Sequence, residues 1–136
     1  MAPTSRFGGI LTMSVGLLVC SFDLYNVRDL DLLRQVEQRC DTVVAGVLSD
    51  DDVEARTGWP PVIPLAERLE IMQAVRGVDR AIVIDADTLP GLDHDTIVFG
   101  LAFAEGVHEV LVPALDTASA TLREALGGPV EGHAAA

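Results

Sequence analysis

Six residues within nine positions, Ser21, Phe22, Asp23, Asn26, Arg28 and Asp29, have types and spacing that bear on chemistry. They follow an apolar run, Val15, Leu17, Leu18 and Val19, and lead into a segment with helical periodicity. A strand running into a helix is where α/β proteins seat phosphate, on the unpaired N–H groups of the first helical turn. The place suits a polyanion, but the side chains do not. Asn26 offers a neutral donor, Arg28 adds bulk, and Asp29 puts a carboxylate in the first turn. Two unit charges about 4 Å apart at an effective dielectric constant of ~20 interact by about 4 kcal/mol, so this carboxylate opposes a bound triphosphate. The same residues make a self-sufficient helix start. Asn26 is a preferred N-cap, and Asp29, three residues on, returns a hydrogen bond and meets the helix dipole. This structural reading is the preferred one. Against it stand an inward swing of Arg28 that restores a positive charge and a metal site of Asp23, Asp29 and Asp31, a spacing that arises by chance on any acidic helix.

Other candidates are scattered. The stretch from Ser49 to Trp59 is read as a solvated acidic loop, with Arg56 its one cation. Trp59, ahead of Pro60 and Pro61, is expected to pack against the core, with covering a pocket or mediating a contact as the alternatives. Arg68 lies among carboxylates and is read either as functional or as a surface ion pair with Glu67, Asp79 or another nearby acid. His94 and His108 are read as solvated loop residues, and spacing alone identifies no nucleophile and base.

These residues need a scaffold, and the chain is long enough to build one. At 136 residues it fits one domain that buries roughly two-thirds of its unfolded surface. The formal net charge is −12 and all nine basic side chains are arginine, which argues against a nucleic-acid footprint or an anionic membrane surface. Cys20 and Cys40 are too few for a disulfide framework and read as reduced thiols in a cytoplasmic protein. The apolar run from Ile10 to Cys20 is too short to span a bilayer. Residues 1–12 are expected to form a flexible extension, 13–126 the domain and 127–136 a flexible Gly/Ala-rich tail, with Met1 and Met13 both possible starts.

The pattern predicts strands at Ser14–Cys20, Thr42–Leu48, Ala81–Ile84, Thr96–Gly100 and Glu109–Pro113. Helices are predicted at Val27–Arg39, where Leu30, Leu33, Val36 and Cys40 make the apolar face, from Pro64 to a stop at Gly77, and at Ala118–Leu126. A brief helical link joins the last two strands. Alternation of short apolar strands with helices predicts an α/β, Rossmann-like, doubly wound sheet of five mostly parallel strands with helices on both faces.

With Ser21-Phe22-Asp23 after the first strand, Cys40 to Val47, Ser49-Asp50, Pro60 to Ile71 and Val78-Asp79, the chain resembles the cytidylyltransferase family of the nucleotidyltransferase superfamily, bacterial glycerol-3-phosphate cytidylyltransferases above all. The resemblance runs from about Met13 to Leu126. It implies a Rossmann-like fold and transfer of a cytidylyl group from CTP to a phosphorylated alcohol, with Mg²⁺ and often in a homodimer. It also implies four phosphate- or nucleotide-handling regions, each altered here. The His-x-Gly-His signature falls on Asn26, Arg28 and Asp29, and a lysine position falls on Glu54. Gly-Asp-Asp-Trp becomes Gly100-Leu101-Ala102-Phe103. The Arg-Thr-x-Gly-Ile-Ser-Thr-Thr signature keeps Ser119 and Thr121 but loses its arginine at Ala114 and its glycine at Thr117, leaving Asp116 or Thr117 as a helix cap. Arg68 alone stays in a matching context, Pro64 to Ile71.

Such transfers depend on cations and N–H donors around an anionic transition state, so each lost cation matters. The leading expectation is a catalytically impaired member that keeps fold and interface, as a homodimer or a heterodimer with an intact relative. One alternative is an active nucleotidyltransferase using Arg28, Arg56 and Arg68. Another is a sensor of a neutral or cationic small molecule anchored by Asp23 and Asp29 in the emptied cleft.

Overall fold

The computed structural model describes residues 5–7, 10–12, 14–85, 95–101, 106–114 and 124–126. A short antiparallel ribbon comes first, β1 (Ser5–Phe7) with β2 (Ile10–Thr12), in a segment where the sequence pattern predicts no element. The main sheet contains β3 (Val15–Cys20), β4 (Thr42–Leu48), β5 (Arg80–Ile84), β6 (Thr96–Gly100) and β7 (Glu109–Val110). Its order is β5-β4-β3-β6-β7 and every neighbouring pair is parallel, as in a Rossmann-like sheet. Helices α1 (Val27–Arg39), α2 (Asp50–Thr57) and α3 (Leu65–Ala74) complete the described elements.

The two-residue period of the strands sorts the core onto two faces. Leu18, Cys20, Val43, Ala45, Val47 and Phe99 point to one side, where Leu32, Leu33 and Val36 of α1 and Met72 of α3 cover them. Leu17, Val19, Val44, Leu48, Ile84 and Val98 form the other side with Val53 of α2. Leu32 belongs to the buried stripe of α1 in place of the expected Leu30. Helix α1 lies close to the sheet because Gly16 has no side chain: a Cβ there would stand 2.5 Å from Val36 Cγ1 and 2.8 Å from Cys40 Sγ. Both cysteines are buried thiols, and burial, ahead of its neighbours' charges, pushes the Cys40 thiol up from its ordinary range.

Three expectations need correction. Ser49 to Trp59 is a helix for most of its length, because Ser49 caps it by accepting from Asp52 N, Asp50, Asp51 and Asp52 meet the dipole, and Gly58 closes it at φ 83°. Helix α3 starts at Leu65 with Pro64 as its N-cap residue and ends at Ala74, short of Gly77. The last strand ends at Val110, since the main chain beyond it turns to α1: Gln35 Nε2 donates to Val112 O and Ala114 N donates to Asp31. Most of the predicted Ala118–Leu126 helix lies outside the described residues, of which 124 and 125 are helical. No helix among the described residues is long and apolar enough to cross a membrane.

Candidate functional site

An open parallel sheet binds its ligands outside the carboxyl ends of its strands, in the crevice where the strand order reverses, which here lies between β3 and β6. Here β3 ends in a loop, 21–26, that turns into α1 through two left-handed non-glycine residues, Phe22 at φ 51° and Leu24 at φ 55°. Each costs on the order of 1–2 kcal/mol for a side chain of this bulk, so the loop persists only because its surroundings fix it. Asp23 supplies much of that fixing. It is 1% exposed, and its two oxygens accept from Val62 N and Ile63 N, both at 2.8 Å, which ties this loop to the segment ahead of α3.

Arg68 supplies the rest. It is fully buried, not on the surface as one expectation had it, because it serves as the hub of four segments. Nε donates to Ile63 O at 2.8 Å, and Nη1 donates to Ser21 O at 2.6 Å and Leu48 O at 2.8 Å. Nη2 donates to Asp50 Oδ1 at 2.6 Å in an ion pair whose carboxylate side is half exposed. The guanidinium thus joins the ends of β3 and β4, the loop before α3 and the first turn of α2. A buried cation with this many donors committed has little left for a ligand.

At the start of α1, Asn26 and Asp29 form the capping box that their spacing predicts. Asn26 Oδ1 accepts from Arg28 N at 2.9 Å, and Asp29 Oδ2 accepts from Asn26 N at 3.2 Å. Asp29 is buried, so the positive end of the helix is met by the protein's own carboxylate. Tyr25, just before the cap, carries the one buried side-chain polar atom without a hydrogen-bond partner among the described residues, its phenolic oxygen. Burial first, and the Asp29 charge second, push that phenol up from its ordinary value.

The structure brings Ser21, Phe22, Asp23, Asn26, Arg28, Asp29 and Arg68 together around one loop. Gly100 ends the neighbouring β6, where its carbonyl accepts from Leu111 N. Glu54 is exposed on α2, outside this network of hydrogen bonds. Ser119 and Thr121 lie outside the described residues, as do Ala102, Phe103, Asp116, Thr117 and His94. His108 is more than a solvated side chain: Nδ1 accepts from Val98 N at 2.9 Å while His108 N donates to Val98 O, so the residue extends the β6 edge. Trp59 is 52% exposed and does not pack into the core. Asp23, Asp29 and Asp31 each accept from different main-chain groups, and no described residues group as a metal site. Sequence reasoning missed Asp50 as the partner of Arg68, although Ser49-Asp50-Asp51-Asp52 carries a helix-start signal.

With this geometry in view, the similarities to known proteins take on a definite meaning. A family model described as Cytidylyltransferase-like matches residues 17–123, and the chain belongs to that family. Ethanolamine-phosphate cytidylyltransferase from Arabidopsis thaliana is 41% identical over 61 residues, 45% of this chain and 14% of that protein. FAD synthase from Pyrococcus abyssi is 29% identical over 84 residues, 58% of this chain and 57% of its own. Bifunctional protein HldE from Acidiphilium cryptum is 29% identical over 124 residues, 88% of this chain and 25% of its own. The chain therefore spans between about a seventh and somewhat over half of these relatives. A crystal structure of the lipopolysaccharide core biosynthesis protein from Thermoplasma volcanium GSS1 superposes with a TM-score of 0.60 at 20% identity, over 88% of this chain and 93% of that one. This last likeness speaks to the fold.

Proposed function

We propose that this chain is a catalytically impaired, cytoplasmic cytidylyltransferase-like protein that keeps the family scaffold and works by binding another protein, as a homodimer or with an intact relative. The observation that carries the reading is the start of α1, where Asp29 accepts from Asn26 N and sets a buried carboxylate in the first turn, against which any phosphate would have to approach. Further support comes from Arg68, whose guanidinium is committed to three carbonyls and Asp50. The active-enzyme alternative then rests on Arg28 and Arg56. The sensor alternative loses an anchor, since both Asp23 oxygens hold main-chain N–H groups.

Calorimetric titration with CTP and Mg²⁺ tests this directly. No heat is expected. Saturable binding followed by pyrophosphate release from a phosphorylated alcohol would establish the enzyme reading instead, and a response to amines without one to CTP would establish the sensor. The combined Asn26→His, Arg28→Gly and Asp29→His variant is expected to regain CTP binding, because it removes the carboxylate and restores the donors of the family signature.

A further inference from the structure

Beside the closed site, the same end of the sheet displays apolar surface. Trp59, the only tryptophan of the chain, is 52% exposed, Val62 is 41% exposed and Val27 at the start of α1 is 49% exposed. All three lie in the segments that follow β3 and β4. Their backbone is held on both sides. Thr57 Oγ1 accepts from Trp59 N at 3.2 Å, and its one proton is shared between Val53 O at 2.8 Å and Trp59 O at 2.9 Å. Asp23 grips Val62 N and Ile63 N, and Arg68 grips Ile63 O. The main chain around Trp59 and Val62 is thus already ordered and has little left to lose on association, which favours an interface anchor.

Charge decides what it fits. Asp51, Asp52 and Glu54 on α2 and Glu67 and Glu70 on α3 belong to the helices flanking the Trp59–Val62 segment, against Arg28 and Arg56. A second copy would bring an identical acidic rim, and the net charge of −12, to the same face. An anionic bilayer is disfavoured for the same reason. We infer that Trp59, Val62 and Val27 form a docking surface for a segment of a different protein that carries apolar anchors within a basic rim. The inference rests on the reading that this end of the sheet no longer receives a polyanion.

The test uses the full chain and three fluorescently labelled synthetic helical peptides: leucine with arginine, leucine with glutamate, and serine with arginine. Anisotropy is expected to show saturable binding of the first alone. The combined Trp59→Ser and Val62→Ser variant should weaken it by about tenfold or more, the loss of one hot-spot contact. Glu54→Gln with Glu70→Gln should weaken it less and reduce its salt dependence, and Glu124→Gln should leave it unchanged. Equal binding of the serine–arginine peptide, or indifference to the Trp59 and Val62 changes, overturns the inference. So does light scattering that shows a dimer dissociated by Trp59→Ser, or a blue shift of Trp59 emission on neutral phosphatidylcholine vesicles. CTP binding in the calorimeter would reject the impaired-enzyme reading, whereas failure of the peptide assay alone rejects only the docking surface.

Discussion

The two ends of the β3–β4 pair use the same chemistry at different depths. At the N-terminal end, Asp41 accepts from Ser14 N at 2.9 Å and Asp79 accepts from Val43 N at 2.8 Å, and Ser14, Asp41 and Asp79 all keep access to solvent. At the C-terminal end, Asp23 and Arg68 do similar work while almost completely buried. In an open parallel sheet the second end is where ligands enter, yet Asp23 and Arg68 are buried there. Here they are turned inward onto main-chain groups. The contrast is one of depth: at the C-terminal end Asp23 and Arg68 spend their polar atoms on main-chain groups away from water, whereas the acids at the other end stay wet.

The strongest way to break this comparison is at Arg68. Arg68→Met should destabilise the fold by about 3–5 kcal/mol in urea melts, because three carbonyls lose their donor in a buried setting. Asp50→Asn, on the half-exposed side of the same ion pair, should cost about 1 kcal/mol or less. Equal costs for the two would mean that the hub is not closed. Next comes Asp23→Asn, which sets an amide NH₂ against Val62 N or Ile63 N and should cost about 2–3 kcal/mol. Asp41→Asn at the opposite, wetter end should cost about 1 kcal/mol. Asn26→Ala should cost about 1 kcal/mol through the lost cap.

The smallest expected effect is at Tyr25. Its hydroxyl is buried without a partner among the described residues, so Tyr25→Phe should be neutral or stabilising by up to about 1 kcal/mol in the same melts. Tyr25 is the only tyrosine, so an ultraviolet titration of the folded chain reads it alone and should give a midpoint above its ordinary 10.0. The sign follows from the neutral form being favoured in the fold. The contribution is complete below the unfolded value and is lost as the pH rises through the folded one. Tyr25→Phe should remove that alkaline loss.

Much of the scaffold was legible in the chain itself. Val27–Arg39, Thr42–Leu48 and Thr96–Gly100 fall where period and caps place them, because local signals and tertiary packing agree there. The capping box was legible for the same reason: Asn26 and Asp29 satisfy each other within one turn. Helix α2 was misread because its acids were weighed as charge and not as first-turn residues behind a serine cap. Arg68 was misread because burial of a guanidinium depends on carbonyls from β3, β4 and the loop before α3, which no local window contains. Trp59 was misread because composition does not reveal that Thr57 and Gly58 turn the chain outward.

The parallel order of the sheet also sets how the chain assembles. Strand β3 lies at its centre, with Val15 beside Thr42 on one edge and beside Thr96 on the other. In the main sheet every described ladder is parallel, so each waits for a distant partner. During synthesis the first edge is covered by β4 early, while the second stays bare until Thr96–Gly100 has emerged. Refolding should therefore be slow for a domain of this size, and partly made chains should be the form most prone to aggregate.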